Sequence, residues 1–245
     1  MKIFSGNLKK TSHPLKVLFV ASEISPFVQV GGLGEVMHAL PKALAGLSHD
    51  VRTMMPKYAS INEEEFPMEV VLQELLVPNP GGPDLICNVK KYKKDSGQIN
   101  YFLENQEYYE KRGSVYGYDD DPARWALLSR GTLEFLRCTH AEWTPDIIVA
   151  NDWQGGLIPN YMKCEYDKDP LISKIASVFI IHNIYYQGMF DHRYGSELDY
   201  DDGQSSIPSI TDPRLLKTNF MRRGIRYADI INTVSPSYAR EITTP

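Results

Sequence analysis

Short apolar runs that stop at polar or glycine-rich loops set the pattern of this chain. The first, Lys16-Val17-Leu18-Phe19-Val20-Ala21-Ser22, has the length and continuity of a buried strand. From Glu35 to Leu47 the period changes. Val36, Ala39, Leu40, Ala43, Leu44 and Leu47 fall at i, i+3, i+4, i+7, i+8 and i+11, which predicts an amphipathic helix over 34–47. Pro41 lies inside it and predicts a bend, because it removes one backbone bond and crowds the preceding turn. A second apolar run, Val51 to Met55, completes a βαβ unit with parallel strands and a right-handed crossover. Between the first strand and the helix lies Val30-Gly31-Gly32-Leu33-Gly34. A glycine loop at a helix start offers free backbone N–H groups, which suit a phosphate or a sugar hydroxyl.

The pattern then alternates. Met68 to Val77 ends at the turn cluster Pro78-Asn79-Pro80-Gly81-Gly82-Pro83, and Leu85 to Lys93 and Ile99 to Leu103 pair as a hairpin about Asp95-Ser96-Gly97. This predicts an antiparallel excursion beside a parallel sheet. Asp121 is placed to cap a helix with Pro122 at its first position, and Trp125, Leu128, Thr132, Phe135 and Leu136 share one face. Three further apolar runs follow. Residues 146–150 stop at Asn151-Asp152-Trp153, 178–181 at His182-Asn183, and 230–234 at Ser235-Pro236. Their continuity predicts strands covered on both faces. Helices are expected at Gly156–Glu165 and at Asp212–Arg226, the latter capped by Asp212. The fold class is therefore α/β, a doubly wound, Rossmann-like parallel sheet with an antiparallel hairpin excursion. Ligands bind such sheets outside the carboxyl ends of the strands, so the Gly, Asp/Trp, His/Asn and Ser clusters should meet at one crevice.

Composition narrows the function. A net charge of −5 over 245 residues excludes the basic stripe of a nucleic-acid surface, and no apolar run approaches a membrane span. Residues 1–15 lack the apolar core of a secretory signal and read as a flexible leader. Three cysteines, far apart and without ligand spacing, read as reduced thiols in a cytoplasmic core, with no metal site. The glycine spacing is Gly-Gly-x-Gly rather than GxGxxG, and the second strand lacks the ribose-binding acid, so a nicotinamide cofactor is disfavoured. The string His182-Asn183-Ile184-Tyr185-Tyr186-Gln187-Gly188-Met189-Phe190 mixes polar and aromatic groups as a polyhydroxyl ligand requires. Asp152-Trp153 reads equally as cap plus core tryptophan or as sugar contact. Tyr116 alone says little. The remaining histidines read as surface or helix residues, and the run 199–203 as a solvated loop.

Together the strings KVLFVASEISPFVQVGGLGEV, ALPKAL, GSVYGYDDDPARWALLSRG, VANDWQGGL, HNIYYQGMF and NFMRRGIRYADIINTVSPSYAREI resemble the starch and bacterial glycogen synthases, in the family's order from about Lys16 to Thr243. The resemblance implies the N-terminal, acceptor-side half of a GT-B fold at 16–245, with the C-terminal nucleotide-binding domain absent. It implies retaining transfer of glucose from ADP-glucose or UDP-glucose to the 4-hydroxyl of an α-1,4-glucan, with no cofactor. By position, Gly31 and Gly32 would approach the donor, and Glu35 would stand for an ordering acid, usually Asp. Tyr116 and Trp153 would line the floor beside Asp152. His182 would contact the transferred glucose, supported by Asn183 and Gln187. No residue is an obvious nucleophile, in keeping with a front-face mechanism.

The family's loop usually carries Lys where this chain has Gln29. A charge-assisted bond to phosphate contributes roughly 1.5–3 kcal/mol against about 1 for a neutral one, so Gln29 implies weaker donor affinity or turnover. A non-catalytic glucan-binding or regulatory module on the same fold is the alternative reading, and the isolated chain is expected to be inactive.

Overall fold

The computed structural model describes residues 13–93, 97–188 and 201–244. The leader 1–12, the hairpin turn residues 94–96, Met189, Phe190, His192 and the start of the acidic run lie outside the described residues. Eight strands form a single sheet, in the order β3-β4-β5-β2-β1-β6-β7-β8. They are β1 (Lys16–Val20), β2 (Asp50–Pro56), β3 (Glu69–Val77), β4 (Leu85–Lys93), β5 (Ile99–Glu104), β6 (Ile147–Asn151), β7 (Ala176–Ile181) and β8 (Ile230–Thr233). Neighbours from β5 through β8 pair in parallel, whereas β3–β4 and β4–β5 are antiparallel. The expected excursion is thus the edge of the same sheet. From β1 the chain adds β2 beside it, crosses to the far edge for β3 and works back inward through β4 and β5, then begins β6 on the other side of β1. That reversal puts a switch point at the carboxyl end of β1.

The helices are α1 (Gly32–Gly46), α2 (Asp121–Thr139), α3 (Leu157–Cys164), α4 (Phe220–Tyr227) and α5 (Pro236–Glu241). α1 runs without a break through Pro41, which is buried. α2 is buried along nearly its whole length, Asp121 through Leu136, and is the helix about which the core closes. Asp121 is its first residue rather than its cap. Its carboxylate accepts from Gly117 N (2.8 Å) and pairs with Arg124 Nη1 (2.5 Å). The fully buried Arg124 also donates to Val115 O (2.8 Å), which fixes the backbone beside Tyr116.

Further expectations are corrected. The helix expected over Asp212–Arg226 is two pieces, a 3-10 turn Pro213–Lys217 and α4, because Thr218 and Asn219 are extended. Asp212 caps the first piece through Arg214 N, and Asn219 caps the second through Arg222 N (each 2.8 Å). β8 is not covered on both faces, since Ile230 and Ile231 are 59% and 37% exposed at the sheet edge. Asp201 is no solvated loop residue. It forms a bidentate pair with Arg223, at 2.6 and 2.8 Å, with both side chains at most 4% exposed. Of the cysteines, Cys87 is in the core, where burial pushes its thiol up to about 12, but Cys138 and Cys164 are exposed.

Candidate functional site

At the carboxyl ends of the central strands lies a cleft of about 670 Å³. The turn after β1 supplies Glu23, Val30, Gly31, Gly32 and Leu33. The turn after β6 supplies Asp152, Trp153 and Gln154, and that after β7 supplies His182, Asn183 and Tyr186. Tyr116 enters from the loop ahead of α2, and Val234 follows β8. Of the residues singled out in the sequence, Gly31, Gly32, Tyr116, Asp152, Trp153, His182 and Asn183 therefore meet. Gln29, Glu35 and Gln187 do not line the cleft. Gln29 Nε2 donates to Glu35 Oε1 (3.2 Å) on the exposed side of the loop. Gln187 accepts from Asn219 Nδ2 (2.8 Å) and donates to Ile184 O (3.1 Å), bracing the segment after β7 from behind. Ser235 caps α5 through Tyr238 N (3.1 Å) instead of facing the cleft.

Glu23 was not singled out in the sequence, where one acid after a strand carries no distinctive signal. Its side chain is buried, and Oε2 accepts from both Val30 N and Gly31 N (3.1 Å for Gly31), while Oε1 accepts from Tyr116 O–H (3.2 Å). Two loop amides that an anion would use are thus already bound to a carboxylate of the chain. The remaining donors toward the cleft are the first N–H groups of α1, at Gly32 and Leu33, which have no partner inside the helix. A side chain at Gly32 would meet nothing within 4 Å.

Asp152 is the centre of the site. Its φ of +53° and ψ of −175° lie in a region that residues other than glycine rarely adopt, at a cost of order 1–3 kcal/mol. Its Oδ1 is enclosed and meets no donor among the described residues. Burial pushes the carboxyl up to about 7, against the pull of the nearby backbone N–H groups of Asn183, His182 and Trp153. At neutral pH the group is therefore poised between donor and acceptor. His182 shows the opposite effect of the same burial, since its ring is held down to about 4 and is neutral. Asn151 Nδ2 donates to Val20 O (3.1 Å) and Val149 O (3.2 Å), so its Oδ1 is the acceptor facing His182 Nε2 at 3.1 Å. His182 thus carries its proton on Nε2 and keeps Nδ1 as an acceptor. Tyr116, Trp125 and Trp153 form an aromatic chain with centroids 5.8 and 6.1 Å apart. Tyr116 also shares a hydrogen bond with Ser22 Oγ at 2.8 Å.

The raised Asp152 acid makes stability depend on pH. The native state holds this proton more tightly than the unfolded chain between the ordinary value of 3.8 and about 7. Its contribution is full below 3.8 and is lost as pH rises through about 7. Asp152→Asn should therefore gain on the parent as pH rises from 5 to 8, by up to about 3 kcal/mol. His182 gives the opposite slope between about 4 and 6.5, so the quantity to follow is the difference between variant and parent in urea denaturation. A difference that does not change with pH would refute the assignment.

The cleft joins a glycine loop, a neutral histidine, a poised carboxyl and an aromatic floor. Among the described residues there is no cluster of metal-ligating side chains. The family model described as the starch synthase catalytic domain matches residues 16–245. This chain belongs to the starch synthase catalytic domain family. Relatives in the family include glycogen synthases of Clostridium botulinum (strain Alaska E43 / Type E3), 43% identical over 94% of this chain, and of Clostridium perfringens, 39% identical over 94%. The catalytic domain of starch synthase IV from Arabidopsis thaliana, solved bound to ADP and acarbose, superposes with a TM-score of 0.75 at 26% identity over 95% of this chain. Each match covers 47% of the other protein. The chain thus spans about half the length of the curated relatives it matches. Among the described residues no helix is long and apolar enough to cross a membrane.

Proposed function

We propose that this chain is the acceptor-side half of a retaining glucosyltransferase that moves glucose from ADP-glucose or UDP-glucose to the 4-hydroxyl of an α-1,4-glucan. The observation that carries the reading is a neutral His182 in one cleft with the strained Asp152 and an aromatic floor. A sugar hydroxyl can donate to His182 Nδ1, and ring C–H faces rest against Trp153 and Tyr116. The start of α1 at Gly32 and Leu33 faces the same space and suits the donor's phosphates. The starch synthase IV catalytic domain, solved with ADP and acarbose, gives the reading a precedent in that pairing.

In the transfer, the bond from C1 to the diphosphate oxygen breaks and the bond from C1 to the acceptor's O4 forms. The acceptor proton passes to the departing phosphate oxygen. Positive charge grows on the sugar and negative charge on the leaving group, so positioning and preorganised dipoles supply the catalysis. A second α/β domain holds the nucleotide and supplies the cations. The 245-residue chain alone should therefore incorporate no labelled glucose from ADP-glucose into glycogen, whereas the chain joined to such a domain should. In that joined protein His182→Ala should lower kcat by about 100-fold or more. Incorporation by the isolated chain, or none by the joined protein with either nucleotide sugar, would overturn the proposal.

A further inference from the structure

The largest exposed aromatic surface among the described residues sits on the rim of the cleft. Tyr185 is 83% exposed and Tyr186 59%, with ring centroids 5.5 Å apart and planes at 89°. Tyr186 also lines the cleft, so the pair is continuous with the site. Exposed single apolar residues are ordinary in folded proteins, but two adjacent rings held outward on a fixed backbone are informative. The segment that carries them is tied down at several points. Asn183 Oδ1 accepts from Tyr185 N (3.0 Å), closing a local turn, and Ile184 N donates to Tyr238 O–H (3.0 Å). Gln187 O accepts from Met221 N (3.1 Å). Gly188 has a φ of +70°, and a Cβ there would stand 2.6 Å from the Trp153 ring, so the segment ends packed onto the cleft floor. Residues 183–188 carry no charged side chain.

From this geometry we infer that Tyr185 and Tyr186 form a platform running from the rim of the cleft outward, for the outgoing part of a linear α-glucan. The inference rests on the glucan reading above and extends it to sugar residues beyond the one that reacts. A pyranose presents an apolar C–H face that an aromatic ring attracts through its negative face. Successive sugars of an α-1,4 chain turn relative to one another, and two rings at a right angle offer faces to two such orientations. The absence of charge on the segment favours a neutral ligand. Because the backbone is already fixed, binding would not have to order it, and the rings would contribute without that loss.

Titration calorimetry of the 245-residue chain with maltoheptaose and with maltose tests the inference. Tyr185→Ala should raise the maltoheptaose Kd about fivefold, from the worth of one aromatic contact, and leave the maltose Kd within twofold. Tyr185→Phe should keep the parent value, since the ring rather than the hydroxyl binds. The parent and both variants should unfold at the same temperature, as expected of so exposed a side chain. An unchanged maltoheptaose Kd for Tyr185→Ala, given measurable binding by the parent, would overturn the platform and leave the cleft reading intact. So would equal losses for maltose and maltoheptaose. Failure of the parent chain to bind maltoheptaose would overturn both.

Discussion

Gly156→Ala should fail to accumulate as a folded chain, or should lose at least about 3 kcal/mol of stability and the cleft with it. A Cβ at Gly156 would stand 2.0 Å from Phe220 O and 2.7 Å from Phe220 C. Both are backbone atoms at the first residue of α4, so no rotamer change relieves the overlap, and one of two buried helices must move. Overpacking in a close-packed interior typically costs 1–3 kcal/mol even where flexible side chains can yield. The damage reaches the site because α4 holds it: Met221 N is bound to Gln187 O, and Gln187 braces the turn that carries His182 and Asn183. Gly32→Ala is the control, with nothing within 4 Å of the added carbon, and it should change stability by less than about 1 kcal/mol. Thermal unfolding of the two variants checks the contrast. Equal losses would show that the approach of α4 to α3 does not require the glycine. The glycines of the Asp152-Trp153-Gln154-Gly155-Gly156 string thus serve packing, while the residues ahead of them serve the cleft.

The second large effect lies in the Asp201–Arg223 pair. Asp201→Ala should cost about 3–5 kcal/mol, because it leaves a guanidinium in the interior without its counter-charge. Arg223 would keep its bonds to Asn160 Oδ1 (3.0 Å) and Ser205 O (2.6 Å), but both acceptors are neutral. Asn219 N, which donates to Asp201 Oδ2 (3.0 Å), would lose its partner as well. Replacing both members, as in Asp201→Leu with Arg223→Met, should recover most of the loss, since an apolar pair of similar volume removes the uncompensated charge. Urea denaturation of the single and double variants measures the difference. A single-variant loss under about 1 kcal/mol would mean that the pair does not organise the start of α4.

The strands of this fold were legible because the interior leaves its mark on every residue of a strand covered on both faces. β1, β6 and β7 read as unbroken apolar runs, and the polar residues that end them are the ones that reach the cleft. β8 has the same texture but is an edge strand, and texture does not say what lies across from it. α4 was misread because Asp212 marks a helix start, while the cap that restarts the helix at Phe220 depends on where Asn219 points. Asp201 and Glu23 show the same gap. A carboxylate in a loop is solvated by default, and only the fold reveals the buried arginine or the loop amides it serves. The strain at Asp152 has no sequence signature at all, since nothing in its neighbours announces a positive φ. By contrast, Tyr116, Asp152, Trp153, His182 and Asn183 were found at their places because strings of several residues point to them jointly. Gln29 and Glu35 belong to such a string too, yet they face each other across the outside of the loop.

Glu23 has a consequence for the thermodynamics of encounter. With its carboxylate on Val30 N and Gly31 N, and Ser25 N bound to Gly34 O at 3.1 Å, the turn from β1 into α1 is shaped before any ligand arrives. Fixing a residue's backbone costs about 1–2 kcal/mol, and for this turn that loss falls at folding. A ligand meeting this wall finds a rigid surface, so the entropy lost on association is chiefly its own.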